Sequence, residues 1–255
     1  MAPLHDPAAI RIAAAVDAAH LNEVGALLNR IWGTPPGLWV MPPDVLVAAV
    51  HAGGAVHVAY DGDRLVGACA AVFCAPAERA VYSLVAGAST TGRGVGYVLK
   101  QAQRAWALEN GATTMRWTFD PLVGRNARFN LMKLGAIGAE YAIDFYGVLE
   151  DEVQGSDETD RLTVQWRLDA PARPDEVSPP EHPSGLAPDG GPLTAKDNGM
   201  IWCRVPPDIV ALRRDDPAQA SEWRLAVREV MDPAFAKGYL ATGMSRDGWY
   251  RLEQP

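Results

Sequence analysis

Leu21, Val24, Leu27, Leu28 and Ile31 recur at helical intervals, so residues 17–31 are predicted to form a helix with one apolar face. Residues 10–13, just before it, read as a first strand. The apolar runs 56–60 and 64–72 flank Asp61-Gly62-Asp63, a hairpin signal. Residues 80–86 are a further apolar strand, and a glycine-rich turn follows them. Helical spacing resumes with Val95, Val98, Leu99, Ala102, Ala105 and Trp106, from about Gly94 to the stop signal Asn110-Gly111. Met115, Trp117 and Phe119 alternate within residues 113–119 and mark one face of a strand, which Asp120-Pro121 ends. A second helix is predicted from near Asn126 to Lys133-Leu134-Gly135, and residues 161–168 read as a late strand. Strand, helix, antiparallel strands, then strand–helix–strand–helix–strand is an α/β layer pattern with a mixed sheet.

Residues 169–199 break this pattern. They are rich in Pro, Gly and charge, including Pro179-Pro180, Pro183 and Asp189-Gly190-Gly191-Pro192, and read as a long connector. Beyond them, residues 199–205 suit a strand and residues 217–237 a helix, with Trp223, Leu225, Ala226, Val230 and Met231 at helical spacing. Residues 239–244 and 249–252 suit a closing hairpin. The expected organisation is a first domain over 1–168, a linker over 169–199 and a small α+β extension over 200–255. The extension is too short for a robust core of its own, so it should pack on the first domain or on a second subunit. Its apolar strands leave a homodimer open, since edge strands pair across subunits or are covered within one chain.

Composition narrows the partners. A net charge of −8 across 255 residues argues against nucleic acid or anionic membrane. No apolar run approaches membrane-spanning length, and Asp6 stands in a start without a cationic leader, so a cytoplasmic protein is expected. Cys69, Cys74 and Cys203 have no metal-ligand spacing, and His5, His20, His51, His57 and His182 do not pair, so no metal site is expected.

The turn after the strand at 80–86 carries the chemistry. A strand running into glycines and then a helix presents backbone N–H groups at the positive end of a helix dipole, a cradle for a diphosphate. A P-loop would need Gly-Lys-Ser/Thr, whereas Gly96 is followed by Tyr97-Val98. A dinucleotide fingerprint would need G-x-G-x-x-G, whereas the glycines are Gly92, Gly94 and Gly96. The pattern Thr91-Gly92-Arg93-Gly94-Val95-Gly96 resembles the Q/R-x-x-G-x-G/A acyl-CoA loop of the GNAT acetyltransferases, with Thr91 in the first position. The downstream helix from Asn126 to Lys133-Leu134-Gly135 also resembles the family's K-L-G-F ending, with Ala136 in place of Phe. The wording of residues 117–122, Asn126-Ala127 and Ser156 to Asp160-Arg161 resembles a little-characterised GNAT subgroup, some of whose members occur beside N-acylamino-acid racemases. The resemblance covers roughly residues 10–168. It implies a mostly antiparallel sheet, splayed where acyl-CoA binds.

The resemblance also implies roles. The backbone of Thr91, Gly92, Arg93, Gly94, Val95 and Gly96 would hold the diphosphate, with Arg93 a candidate for the outer phosphates. Leu84, Val85 and Ala86 would bind pantetheine through their backbones, one N–H polarising the thioester carbonyl. Asn126 matches a pantetheine contact, or else caps its helix. The family's general-acid Tyr falls on Leu131 here, which leaves Tyr141, Tyr146 or water to protonate the thiolate. Asp120, at a strand end, is the candidate base or ammonium anchor; the alternative is that it starts a turn and caps the next helix. Of Tyr82 and Ser83, alternation turns one to the substrate side, so Ser83 is also a candidate. Asp144 suits a cleft or a solvated strand. The implied activity is transfer of an acetyl or succinyl group from CoA to a small amine, an amino acid among the candidates. A protein or peptide N-acetyltransferase and a non-catalytic acyl-CoA-binding regulator are the alternatives.

Overall fold

Alternation and capping account for most of the elements in the computed structural model, which describes residues 10–90, 93–147, 149, 154, 157–170 and 176–255. Thr91, Gly92 and Ser156 lie outside the described residues. The chain divides into two units, Met1–Met115 and Arg116–Pro255.

In the first unit, β1 (Arg11–Ala14), β2 (Ala55–Asp61), β3 (Arg64–Phe73) and β4 (Ala80–Ala88) pair antiparallel in chain order. Helix α1 (Ala18–Trp32) starts where Asp17 Oδ1 accepts from the His20 N–H at 2.9 Å, and it stops at left-handed Gly33. Its Leu21, Val24, Leu27 and Leu28 pack with Val58, Ala68, Ala70 and Val85 on one face of the sheet. Val95 and Leu99 of helix α3 (Val95–Glu109) pack with Ala59, Val66 and Cys69 on the other. Val58 and Ala59, like Ala68 and Cys69, thus serve opposite cores by the two-residue period, while Val66 departs from it at a register shift between β2 and β3.

Helix α2 (Pro43–His51) is not predicted by the sequence reading. Its run of Val45, Leu46, Val47, Ala48, Ala49 and Val50 is apolar on every side and so shows no helical period. Leu46 is fully buried, while Val45 and Val47 are exposed.

The second unit holds β5 (Thr114–Phe119, begun just before the boundary), β6 (Ile137–Ala142), β7 (Arg161–Arg167), β8 (Ser184–Leu186), β9 (Pro192–Asp197), β10 (Met200–Arg204), β11 (Leu240–Met244) and β12 (Trp249–Glu253). Their order is β5-β7-β6-β11-β12-β10-β9-β8. The burial of Met115, Trp117 and Phe119 follows the predicted alternation of β5. Helix α4 (Gly124–Arg128) continues into a π-helical turn, Phe129–Lys133, before left-handed Gly135. Helix α5 (Ile209–Asp215), to which the sequence pattern assigns no element, is capped by Asp208, and α6 (Pro217–Ala236) by Asp216.

Two relationships tie the C-terminal elements to β6 and to the turn after β5. Ala241 of β11 pairs with Gly138 of β6, where a Cβ on Gly138 would stand 2.8 Å from the Ala241 Cβ; only glycine admits that approach. Tyr250 of β12 donates to the Pro121 carbonyl at 2.9 Å.

The expected connector at 169–199 is corrected in part, because β8 and β9 form a hairpin within it. Asp189 makes the turn: its Oδ1 accepts from the Gly191 N–H at 3.0 Å, and its carboxylate takes both Arg204 Nη atoms. The Arg204 guanidinium lies 4.9 Å from the Trp223 ring centroid. Asp189-Gly190-Gly191 is itself a local turn signal, but the guanidinium that grips it comes from β10, which nothing local in the Pro/Gly-rich stretch shows.

Candidate active site

Strand β4 is irregular where chemistry was expected. Its register with β3 passes from Ala70–Val85 to Ala71–Ser83, leaving Leu84 as the extra residue of a β-bulge. In a regular strand Ser83 and Val85 would share a face. Here Val85 joins the α1–α2 core, while Ser83 turns to α3. Leu84 is half-buried and Ala86 exposed.

Ser83 therefore does not face a substrate, a correction to its candidacy. It is buried, accepts from Lys100 Nζ at 2.8 Å and donates to Gln103 Oε1 at 3.0 Å. Tyr82, its neighbour, points to the other face by alternation. Burial lowers the Lys100 ammonium to about 7 and raises the Cys69 thiol beside it to about 12.

Past the bulge, α3 begins at Gly94, whose φ of +73° suits glycine. Among the described residues no side chain caps this helix start, and none lies within 4 Å of a Cβ placed on Gly94. Such a start offers backbone N–H groups to an anion. Val95 is buried and Gly96 half-buried, so both have only backbone to offer. Arg93 pairs with Asp61 at the end of β2; contact with a phosphate would compete with that carboxylate. Two further glycines permit close packing here. A Cβ on Gly67 would lie 2.7 Å from Val95 Cγ1, and one on Gly87 would lie 2.6 Å from Trp32 Cζ3.

The polar candidates of the second unit are more constrained than their sequence positions suggest. Asp120 Oδ2 lies 2.6 Å from Arg213 Nη2 and 3.0 Å from Arg224 Nη2, and all three side chains are buried. Asp157 shares both arginines, at 2.9 and 3.0 Å. Burial alone would raise the Asp120 carboxyl, but Arg224 and then Arg213 outweigh it and hold it well below the usual carboxylate range. A carboxylate so neutralised is a poor base, which corrects the expectation for Asp120. It also accepts the Leu122 N–H at 2.9 Å in a turn, without capping α4.

Tyr141 donates to Asp160 Oδ2 at 2.6 Å, and burial followed by that carboxylate raises its phenol above the ordinary range. It is a poor acid, a third correction. Tyr146 differs: it is exposed, with its hydroxyl 3.0 Å from Thr118 Oγ1, its ring edge-on to Phe145, and the Arg161 guanidinium 5.2 Å from its centroid. Asp144 is a loop clasp: its backbone is left-handed and its Oδ1 accepts from the Thr159 N–H and hydroxyl. Asn126 is the exposed third residue of α4, whose N-cap position is Val123, so its capping alternative is not realised.

Sequence reasoning missed Lys100, Gln103, Arg213 and Arg224. Lys100 and Gln103 sit among the apolar positions of α3, a polar intrusion that the sequence does show. Among the described residues, no group of three or more His, Cys, Asp or Glu is placed to hold a metal, and no helix is long and apolar enough to cross a membrane.

No sequence-family profile matches the chain, and no curated protein matches it. Solved structures do. A ribosomal-protein-alanine N-acetyltransferase from Brucella melitensis is similar at 17% identity, over 62% of this chain and 99% of its own, with a TM-score of 0.51. YncA from Salmonella typhimurium, solved with its cofactor acetyl-CoA, is similar at 18% identity over 66% and 99%, also with a TM-score of 0.51. An acetyltransferase of the GNAT family from Streptococcus pneumoniae is similar at 12% identity over 62% and 99%, again at 0.51. The chain carries the GNAT fold. Identities this low establish the fold alone, so the chemistry of this GNAT-fold chain is argued from its own residues.

Proposed function

We propose that this chain is an acyl-CoA-dependent N-acyltransferase that delivers an acetyl group to the amine of a small molecule. The observation that carries this reading is the bulge at Leu84, on the strand that leads to the glycine-led helix start at Gly94, which no described side chain caps or crowds. A bulge releases backbone groups from the ladder, and a glycine-led helix start favours a diphosphate. The two features suit the two ends of one substrate, a thioester on a nucleotide-diphosphate handle.

The acyl-CoA substrate supplies the activated carbonyl. The amine nitrogen attacks the carbonyl carbon, the C–S bond breaks with its electron pair on sulfur, and the amine loses a proton while the thiolate gains one. The products are an amide and the CoA thiol. The backbone of Leu84, Val85 and Ala86 is assigned to pantetheine and the thioester oxygen, where a fixed N–H stabilises developing negative charge. The Gly94–Gly96 backbone, with Thr91, Gly92 and Arg93, is assigned to the diphosphate, and Asn126 to pantetheine. Tyr146 is the accessible phenol and the assigned proton donor to sulfur. A thiol with pKa about 8.5 also leaves readily with a proton from water, so loss of Tyr146 should slow turnover without abolishing it. The amine is assigned to a water-mediated proton path, since Asp120 is held by two arginines. An amino acid acceptor and a succinyl donor are extensions of the same proposal.

Isothermal titration with CoA, acetyl-CoA and succinyl-CoA tests it, followed by a thiol-release screen over amines. Gly94→Glu puts a bulky anion into the open space at the helix start and should weaken binding markedly. Equal affinity in wild type and variant would sink the proposal.

A further inference from the structure

We propose that Ser83, Lys100 and Gln103 are positioning residues that anchor the Leu84 bulge to α3, and so set where the thioester carbonyl meets its backbone donor. The inference rests on the N-acyltransferase reading above. Ser83 immediately precedes the bulged residue, and its hydroxyl is held from two sides by one helix, through Lys100 Nζ at 2.8 Å and Gln103 Oε1 at 3.0 Å. Lys100 Nζ is also 4.0 Å from Met115 Sδ. The helix that supplies these two side chains is the one that starts at Gly94. One rigid element therefore fixes both the helix start assigned to the diphosphate and the strand irregularity assigned to the thioester.

The trio is an expensive way to hold two elements together. Lys100 is 3% exposed and Gln103 fully buried, and among the described residues the Gln103 Nε2 has no hydrogen-bond partner. Burying an amine and an incompletely bonded amide in an apolar layer costs stability, and methionine would fill the space of Lys100 more cheaply. What the trio provides is geometry. Ser83 faces α3 while Val85 faces α1, and with Leu84 out of register between them the two residues can hold to opposite cores. Without an anchor, the strand can relax towards regular alternation and withdraw its backbone donor. A displacement of about 1 Å at a reacting centre costs turnover on the order of 100-fold.

The test compares wild type with Ser83→Ala, Lys100→Met and Ser83→Thr. It measures acetyl-CoA affinity, kcat with the best amine, amide hydrogen exchange over residues 83–86, and melting temperature. Ser83→Ala and Lys100→Met should keep acetyl-CoA affinity, lose kcat by about 10- to 100-fold and exchange faster at 83–86. Lys100→Met should melt at or above the wild-type temperature, and Ser83→Thr, which keeps the hydroxyl, should recover most of kcat. Unchanged exchange or unchanged kcat overturns the positioning role, as does a kcat loss that merely tracks a lower melting temperature. A wild-type chain that binds no acyl-CoA overturns the acyltransferase reading and the positioning role together, whereas intact binding with unchanged exchange overturns the positioning role alone.

Discussion

Arg224 of α6 reaches Asp120 at the end of β5, Nη2 to Oδ2 at 3.0 Å, with both side chains buried. Arg213 of α5 reaches the same oxygen at 2.6 Å, and Asp157 closes the set with two charges of each sign. Such a set offsets its own desolvation only while it is complete. Asp160 extends it, accepting from Tyr141 and paired with Arg228. The carboxylate that sequence position nominates for catalysis instead holds the C-terminal helices to the strand end.

Removing one partner should therefore unfold the chain more than it slows it. Asp120→Asn is expected to lower stability by about 3–5 kcal/mol, because two guanidiniums lose their neutralising charge. The folded pKa of Asp120 lies below its unfolded value of about 3.9, so its contribution is present above roughly pH 4 and is lost as pH falls below that. Urea melts of wild type and variant between pH 3 and 7 check this. A variant of wild-type stability but with much lower kcat would restore Asp120 to catalysis.

Lys100 gives a slope of the same sign at higher pH. Its folded pKa of about 7 lies below an unfolded value of about 10.4, so its stability penalty is full below pH 7 and is relieved as pH rises towards 10. Cys69 and Cys203, both raised to about 12, lower stability above about pH 8.5 and mask the trend in wild type alone. The stability of wild type relative to Lys100→Met should rise by up to about 1.4 kcal/mol per pH unit across pH 7–10. A flat difference would show that Lys100 does not change charge state on folding.

Gly67→Ala should act at a distance on the helix start. Its Cβ would meet Val95 Cγ1 at 2.7 Å, Leu99 Cδ1 at 3.0 Å and the Gly87 carbonyl at 3.1 Å, so α3 must shift. Overpacking of this kind costs about 1–3 kcal/mol. If the helix start binds diphosphate, CoA affinity should fall with it. Titration and a thermal melt on this variant decide, and unchanged values in both would show that α3 has slack there.

Truncation after residue 170 removes β11 from the edge of β6 and takes Arg213, Arg224 and Arg228 from Asp120 and Asp160. An exposed strand edge beside unpaired buried carboxylates should leave an insoluble or strongly destabilised fragment. Soluble fraction, sedimentation and melting temperature read this directly. A monomeric fragment that melts with the full chain would contradict it.

Local patterns were legible in the sequence. The period of Leu21, Val24, Leu27 and Leu28, the alternation of Met115, Trp117 and Phe119, and the Asp61-Gly62 turn each report the immediate backbone, because side-chain direction there depends only on neighbours along the chain. The strand–glycine–helix order around Gly94 was legible for the same reason. Helix α2 was not, since an apolar run without polar interruption carries no period, and neither was the β8–β9 hairpin, whose turn is gripped by Arg204 from another strand.

The roles of single polar residues were decided by tertiary structure. Asp120 and Arg224 stand 104 positions apart, so nothing local in the sequence marks them as partners. Tyr141 and Tyr146 look alike as residues near one strand end, yet one hydroxyl is spent on Asp160 and the other is exposed beside Thr118. Ser83 had a face assigned only to within one residue, and the bulge at Leu84, which shifts the register by one, turned it to Lys100. Charge state and exposure depend on groups brought together through space, whereas the sequence by itself determines helix, strand and turn through contacts a few residues apart.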